Sequence, residues 1–433
     1  MLKNDNNMLD RAEAPSRHEI QDIDLIRPDE VIFDNGVRVF IFRAPTQELI
    51  KAEFIFQNIF DGSEDSLLHT CASHMLKEGT KTRTGAQIAE EIDFYGAYLM
   101  PEYSFDQTAL TLYSLNKHLN AVLPVVHDIL SAAIFPEEEL ETYIRNNKQT
   151  LQISLQKNEY VARRLFFKNL FGESRYGRVP TEEAYDKLNR DDLIALYQKQ
   201  IQPQNCTLIL SGNITDDVLK HVRALFDVQW ANTVDTNSIV APKFPVFVPS
   251  TVMETRADAL QSAIRLGIPT INRVHPDFPA IQFVNTLLGG YFGSRLMRNI
   301  REDKGFTYSI GSAFASLQHT GFFTIATEVG VDSTQATLVE IEKEFTILRE
   351  TAAPEEEIAL VKNYILGSVL GSIESVFSHA DKFKAVYFYG LDISYYTRYN
   401  EIIRNMTAAD VQRIANTYFD YNNLLKIVVG RNN

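Results

Sequence analysis

Residues 192–213 read DLIALYQKQIQPQNCTLILSGN, and residues 410–431 read DVQRIANTYFDYNNLLKIVVGR, so one stretch recurs about half the chain later. The two align without a gap, and Gly212 falls on Gly430. In each copy an acidic residue begins a helical pattern, and a short turn then leads to a continuous apolar strand that ends in glycine. The recurrence predicts an internal duplication, in which each half of the chain forms the same kind of unit.

The first half has the elements of a layered α+β unit. Strands are predicted in DEVIFDNGVRVFIFRAP, where Asn35-Gly36 would form a two-residue hairpin turn, and in KAEFIFQ. Four helical patterns follow, with a strand in DQTALTLYSL between the second and the third: 65–78, 84–96, 115–133 and 137–171.

The second half repeats this order. Strands are predicted at 251–255, 261–268, 306–315 and 320–328, and helices at 276–301, 333–350 and 354–373. Between the halves, the proline-containing VQWANTVDTNSIVAPKFPVFVPS is typical of a loop. We therefore predict an α+β protein of two homologous halves, each a mostly antiparallel sheet packed with helices. The predicted segments are an N-terminal extension at 1–24, a first domain at 25–229, a linker at 230–248 and a second domain at 249–433.

Composition argues against several classes of function. A net charge of −14 and a pI near 5.2 oppose binding to a phosphate backbone, so nucleic acid is not an expected partner. The first twenty residues lack the apolar segment of a signal peptide, and no apolar run reaches the length of about 18 residues that a membrane span needs. A cytoplasmic location without membrane association is therefore expected. The two cysteines, Cys71 and Cys206, cannot supply a disulfide framework.

The run HTCASHML at residues 69–76 contains two histidines and a cysteine. On a helix, His69 and His74 are turned from each other by roughly 140°, so they do not easily face one ion. Cys71 and His74 share a face at a spacing of three, but a metal would need further ligands that the neighbouring sequence does not suggest. From the residues alone, the run is either an incomplete metal site or an ordinary packed helix with a buried cysteine and a hydrogen-bonded histidine.

The longer run HMLKEGTKTRTGAQIAEEIDFYGAYLMPEYSFDQTALTLYSL resembles the N-terminal domain of the M16 metallopeptidase family, which includes pitrilysin, insulinase and mitochondrial processing peptidase. That family binds zinc through an inverted motif, H-x-x-E-H, and a distal glutamate on a long helix. The resemblance places the second motif histidine on His74, the first on Thr70, the motif glutamate on Ser73 and the distal glutamate on Thr150. It also implies a LuxS/metallohydrolase-like clam-shell fold.

Neighbouring carboxylates do not replace the distal ligand. Glu141 and Glu159 each stand nine positions from Thr150, which on a helix is roughly half a turn out of phase. One imidazole and hydroxyl groups would hold zinc weakly, and its bound water would lack a general base. The resemblance therefore implies a degenerate metal site, with His74 structural or lining an empty cleft, and no cofactor on this chain.

The strongest resemblance is in NTLLGGYFGSRLMRNIREDKGFTYSIGSAF, which is similar to the C-terminal domain of the same family. It implies that Arg301 and Tyr308 bind the substrate or its developing oxyanion. Gly305 is a good helix C-cap, so Arg301 would lie in the last helical turn and Tyr308 at the start of the returning strand, which lets their head groups converge. Three glycines of this stretch predict a close backbone approach or a mobile lip: Gly289, Gly290 and Gly293.

In its M16B branch, the resemblance implies a non-catalytic, substrate-binding subunit of a heterodimeric zinc peptidase. The partner would carry H-x-x-E-H and the zinc, and the substrate would be an extended peptide added to a sheet edge. A scaffold without a peptidase role, like the core proteins of a respiratory complex, is the alternative, against which the retained Arg301 and Tyr308 argue. A peptidase with an unrecognised site is a third reading, which the missing ligands disfavour.

Overall fold

The computed structural model describes residue 20 and residues 23–60, 65–232 and 240–431. Nearly all of the predicted N-terminal extension and the middle of the predicted linker, at 233–239, lie outside these residues. Within the described ranges, no helix combines the length and the apolar character that crossing a bilayer requires.

The first half forms one mixed sheet with the spatial order β1-β2-β6-β3-β5-β4. Its strands are β1 Asp29–Ile32, β2 Arg38–Arg43, β3 Leu49–Gln57, β4 Tyr98–Tyr103, β5 Gln107–Leu115 and β6 Cys206–Gly212. β2 and β6 run parallel, and the other neighbours are antiparallel. The sheet thus joins the beginning and the end of the half, because the central strand β6 comes last in sequence.

The predicted hairpin between β1 and β2 exists, but its loop has three residues instead of two. Phe33 N–H donates to the carbonyl of Val37 at 2.9 Å, which leaves 34–36 as the loop. Gly36 takes a φ of 98°, which glycine adopts without strain. The side-chain amide of Asn35 is held by the carbonyl oxygens of Phe226 and Trp230, each at 2.7 Å. Those tertiary bonds, which the local sequence does not show, fix the wider loop.

The second half repeats the sheet with the order β7-β11-β8-β10-β9. Its strands are β7 Thr251–Thr255, β8 Gln261–Thr270, β9 Ile310–Ser316, β10 Gly321–Gly330 and β11 Leu425–Gly430. β7 and β11 are parallel, as β2 and β6 are, and the remaining pairs are antiparallel. The predicted α+β class and the homology of the halves are confirmed, because five strands of each sheet share one order and one set of directions.

Helices cover the sheets in corresponding positions. The first half contains α1 Ser66–Met75, α2 Gly85–Phe94, α3 Leu119–Ala132, α4 Glu137–Ser154, α5 Asn158–Phe171, α6 Glu182–Asp186, α7 Arg190–Gln200 and α8 Asp216–Arg223. The second half contains α9 Phe278–Asn285, α10 Thr334–Glu350, α11 Glu355–Gly371, α12 Val376–Tyr387, α13 Ser394–Asn405 and α14 Ala408–Tyr418. α4, α5 and α7 begin with the same spacing as α11, α12 and α14, so the duplication extends well beyond the recurring stretch.

Three predicted elements differ in detail from the structure. The single helix predicted at 137–171 is two helices, since the chain turns at 155–157. The helix predicted at 276–301 continues past α9 as a wide π-helical turn, Thr286–Gly290, breaks, and resumes as Met297–Asp303. The strand predicted from 306 begins only at β9.

Each half contributes one helix to the other half's sheet. α5 from the first half lies on β8 and β11, and α12 from the second half lies on β2 and β6. A sheet flanked by helices on both faces must be apolar on both faces, and β6 is buried along its whole length. The exchanged helices therefore cover the second face of both sheets and complete a hydrophobic core on each.

The contact of α5 with the second sheet is close. Phe166 is fully buried, and its ring lies 6.2 Å from that of Phe322 on β10. A Cβ added at Gly267 would stand 2.1 Å from the carbonyl oxygen of Phe323 and 2.6 Å from a ring atom of Phe166. Glycine at this point of β8 thus lets the aromatic ring rest on the strand backbone.

The contact of α12 with the first sheet adds charges to aromatic packing. The ring of Phe383 lies 4.6 Å from that of Phe40. Beside it, Glu53, which is 1% exposed, accepts ion-pair contacts from Lys384 at 2.6 Å and Lys51 at 2.9 Å, and Lys51 also reaches Asp381 at 2.7 Å. Burial alone would lower the pKa of Lys51, but the charges and hydrogen bonds of its two partners raise it. Removing one partner would leave an uncompensated buried charge.

Phe166→Ala should lower the free energy of unfolding by about 3–5 kcal/mol, because it empties a large aromatic site at the exchange contact. Urea denaturation followed by circular dichroism measures this change. Phe94→Ala, at a position 80% exposed, is the matched control and should change it by less than about 0.5 kcal/mol. A cost below about 1 kcal/mol at Phe166 would show that the exchanged helix is not a stabilising contact.

Candidate functional site

α1 separates its two histidines onto different sides. The helix begins at Asp65, whose Oδ1 accepts a hydrogen bond from the N–H of Leu67 at 3.0 Å and satisfies a donor of the first turn. His69 turns inward, where its ring is 3% exposed and lies 4.2 Å from that of Phe60. His74 is exposed. The two imidazole rings therefore do not point toward a common position where one ion could bind.

Hydroxyl groups at the degenerate metal positions bond mainly to their own helices. Thr70 Oγ1 donates to the carbonyl of Ser66 at 2.8 Å, and His74 Nδ1 lies 2.9 Å from the carbonyl oxygen of Thr70. On α4, Thr150 Oγ1 donates to the carbonyl four residues earlier at 2.9 Å. Ser73 is buried, and its hydroxyl has no hydrogen-bond partner among the residues described.

α4, the long helix on which the distal ligand was expected, packs beside α1. Leu67 and Leu151 belong to one buried cluster, and the rings of His74 and Tyr143 are 5.8 Å apart. Because these contacts run in opposite directions along the two helices, α1 and α4 are antiparallel. Thr150, next to Leu151, therefore lies at the level of the N-terminal part of α1.

These positions do not fit a zinc ion. Zinc in proteins is held by imidazole, thiolate and carboxylate groups, and the four positions offer one imidazole and three hydroxyls. Across the described part of the chain, no three side chains of histidine, cysteine, aspartate or glutamate converge as a metal site. Cys71 does not compensate, because burial raises the pKa of its thiol to about 12 and keeps it protonated.

The second half holds a different constellation at the end of a helix. The segment Met297–Asp303 is followed by Gly305 with a φ of 65°, a left-handed residue that closes the helix. Arg301 lies in its final turn, with its guanidinium carbon 5.7 Å from the ring centre of Tyr308 and 4.7 Å from that of Phe292. The structure therefore brings Arg301 and Tyr308 together, with Phe292 as a third member.

The loop before β9 is fixed in place. Thr307 Oγ1 lies 2.7 Å from the carbonyl oxygen of Glu328 and 3.0 Å from that of Ser309, so it bridges the loop to β10. Thr327 on β10 adds a hydroxyl contact to Thr307 at 3.0 Å. Tyr308 is thus held two residues before the strand, with 88% of its surface exposed.

The polar groups of this site are available to a ligand. Neither Arg301 nor Tyr308 makes a hydrogen bond or ion pair with any residue in the described ranges. Phe292 is 64% exposed, so the guanidinium lies near two solvent-facing rings while its N–H groups stay free. Sequence reasoning missed Phe292, although its place among the glycines of LLGGYFGS was a visible signal.

Gly289 explains the wide helical turn in front of the site. A Cβ at this position would stand 2.6 Å from Ser312 Oγ and 2.9 Å from Ser312 N, both on β9. The helix therefore lies directly against the strand, which is the close backbone approach that the glycines predicted.

Comparison with known proteins gives family matches in both halves of the chain. Residues 69–178 match the family described as Insulinase (Peptidase family M16), and residues 187–365 match the domain described as Peptidase M16 inactive domain. A Bacillus subtilis protein named Uncharacterized zinc protease YmxG is 26% identical over 387 residues, which cover 88% of this chain and 92% of that protein.

Two further similar proteins are described as a non-peptidase homologue and as an inactive domain. A Helicobacter pylori protein named Non-peptidase homolog YmxG is 23% identical over 367 residues, covering 82% of this chain and 83% of that protein. The crystal structure of a peptidase M16 inactive domain from Pseudomonas fluorescens superposes with a TM-score of 0.85 at 21% identity, covering 94% of this chain and 99% of that one. This last likeness shows the fold.

Two substitutions should restore metal binding if Thr70 and Thr150 occupy ligand positions. Thr70→His with Thr150→Glu, together with His74, would complete a three-ligand set, so the double variant should bind about one zinc per chain while the wild type does not. Zinc content after dialysis, measured by atomic emission, tests this.

The matched control is Thr70→His with Gln149→Glu, which places the carboxylate roughly 100° around α4. Equal zinc content in the double variant and the control would contradict the assignment of Thr150.

Proposed function

The chain belongs to the M16 peptidase family, and we propose that it is the non-catalytic, substrate-binding subunit of a heterodimeric zinc peptidase. It is a catalytically inactive homologue, and its partner would supply the zinc and the general base. The observation that carries the proposal is the pair of half-buried Arg301 and exposed Tyr308, whose donors have no internal partners among the described residues. The relatives fit both roles, since one is named a zinc protease and another a non-peptidase homologue.

The chemistry of the pair suits a peptide in a hydrolytic transition state. A guanidinium offers forked N–H donors to a carbonyl oxygen, and a phenol offers one further donor. Donors aimed at an oxygen that gains negative charge stabilise the transition state more than the substrate. Phe292 and Tyr308 flank the guanidinium and limit its rotation, so it is partly pre-organised for binding.

The proposed roles of this chain and its partner follow from the side chains that each half of this chain contains. The first half keeps the packing of α1 against α4 but offers hydroxyls where a metal needs imidazole and carboxylate. The second half keeps both donors. A chain of this kind contributes to hydrolysis only when another molecule brings the metal to the same peptide bond, which is why the proposal requires a partner with H-x-x-E-H.

A sheet edge gives the substrate a place to lie. β9 is one of the two edge strands of the second sheet, and it starts two residues after Tyr308. An extended peptide paired with the first residues of β9 would pass close to Tyr308 and Arg301 and would be held by main-chain hydrogen bonds, with little dependence on its sequence. Further along β9, the carbonyl groups of Ser312 and Phe314 already accept bonds from the side chains of Asn285 and Gln282. The corresponding outer strand of the first sheet, β4, contains Pro101, and proline at an edge discourages strand addition.

The proposed setting is the cytoplasm, where the catalytic subunit would also reside. Cys71 and Cys206 are both buried and free, which suits a reducing compartment.

A scaffold role is the alternative. It requires the same fold but gives Arg301 and Tyr308 nothing to bind. Exposed arginine and tyrosine side chains can stand singly on any surface, so the decisive difference is whether they affect turnover.

Mixing this chain with a zinc-bearing M16 subunit should produce peptidase activity that neither shows alone. In the mixture, Arg301→Gln or Tyr308→Phe should lower kcat/KM on an unfolded peptide by roughly 10²-fold, the scale of losing one oxyanion donor. Arg301→Lys should recover only part of the loss, because an ammonium lacks the forked geometry.

Arg298→Gln is the matched control, since Arg298 is exposed and lies in the same helical region. Size-exclusion chromatography must show that each variant still forms the complex. An intact complex whose turnover is unchanged by both substitutions would favour the scaffold.

A further inference from the structure

The second half contains a cavity that is bounded by α9, the end of α11, α12 and α13. Its volume is about 530 Å³, which is in the range of small-molecule pockets. It shares no lining residue with the Arg301 and Tyr308 site. The side chains that matter for its chemistry are Arg273, Asp381, Lys382, Tyr395 and Tyr399.

Two cations line this cavity, and neither makes an ion pair with a carboxylate in the described ranges. Arg273 donates through Nη1 to the carbonyl of Ala385, and its Nε is buried with no hydrogen-bond partner among the described residues. Its guanidinium carbon lies 5.9 Å from the ring centre of Tyr395. Lys382 Nζ lies 5.8 Å from the ring centre of Tyr396 and makes no ion pair with any described carboxylate.

The one carboxylate among the lining residues is engaged elsewhere. Asp381 lies 2.7 Å from Lys51 and 3.8 Å from Lys384, in the network that ties α12 to the first sheet. Burial and the nearby charge of Arg273 lower the pKa of Lys382, and Asp381 offsets this only partly. Two like charges therefore remain close together in a partly buried place, which is unfavourable unless an anion joins them.

Neutral donors complete the lining. The hydroxyls of Tyr395 and Tyr399 make no hydrogen bond within the part of the chain that the structure describes, although both rings are largely enclosed. By contrast, the Gln282 amide donates to Phe314 at 3.0 Å and the Ser372 hydroxyl to Val369 at 2.7 Å. The free donors are thus the two cations and the two phenols.

We propose that this cavity binds the phosphate group of a small phosphorylated molecule, held by Arg273, Lys382 and the hydroxyls of Tyr395 and Tyr399. A phosphate carries close to two negative charges at neutral pH and several acceptor oxygens, so it balances two cations where a single carboxylate balances one. The volume exceeds that of a phosphate ion, and the tyrosine rings offer an apolar wall to the remainder of the ligand. The site does not depend on the proposed peptidase role.

Calorimetric titration of the full chain with inorganic phosphate and with phenyl phosphate tests this proposal. Both should bind with one site per chain, and phenyl phosphate more tightly because its ring can use the aromatic wall. Lys382→Met and Arg273→Met should each weaken binding at least tenfold, and Tyr395→Phe or Tyr399→Phe by about fivefold. Lys117→Met, which removes an exposed lysine in the first half, should leave binding unchanged.

Thermal unfolding adds a readout that a purely structural role for Lys382 would not give. Without phosphate, Lys382→Met should melt at or above the wild-type temperature, because the repulsion from Arg273 is gone. With phosphate near the wild-type Kd, the wild type and Lys117→Met should gain clearly more stability than Lys382→Met. Absence of phosphate binding by the wild type, or equal binding by Lys382→Met, would overturn the proposal.

Discussion

The reciprocal exchange of α5 and α12 is the contact on which the rest of the molecule depends. The central strands of each sheet are buried on both faces, but each half keeps its own helices mainly for one face, so the second face is closed by a helix from the other half. Phe166 rests on the bare backbone of Gly267, and Phe383 rests on Phe40 beside a buried ion network. Neither half can bury its sheet fully without the other, which binds two similar units into one body.

The packing of the first half does not depend on metal ligands at the positions of Thr70 and Thr150. The packing of α1 against α4 uses Leu67, Leu151 and Tyr143, while the positions at Thr70 and Thr150 turn their hydroxyls back to their own helices. Replacing charged ligands by small hydroxyl residues removes the cost of holding unpaired polar groups near one another when no metal is present. The second half, in contrast, contains an arginine whose guanidinium lies between two aromatic rings.

Much of this architecture is readable from the sequence, and the exceptions share a physical cause. The apolar strands and amphipathic helices follow from local pattern, and the recurrence ending in Gly212 and Gly430 predicts the duplication. The wider loop at Asn35 could not be predicted, because carbonyl groups nearly two hundred residues away decide it. The exchange of helices was also invisible, since periodicity shows that a face of α5 is apolar but not which sheet it covers. At the candidate site, the family resemblance indicated Arg301 and Tyr308, whereas Phe292 was recognised from its position 4.7 Å from the Arg301 guanidinium in the structure.

The proposed function requires that a peptide lie against Arg301 and Tyr308 while another molecule cleaves it. Photo-crosslinking tests this most directly. A benzophenone amino acid in place of Phe292 would be activated in a complex with a zinc-bearing subunit whose general-base glutamate has been changed to glutamine, so that bound peptide is not consumed. If the peptide lies there, the benzophenone should label it efficiently, and the labelling should fall sharply when unlabelled peptide competes. Labelling confined to the two subunits, with the same yield whether or not peptide is present, would contradict the proposed function.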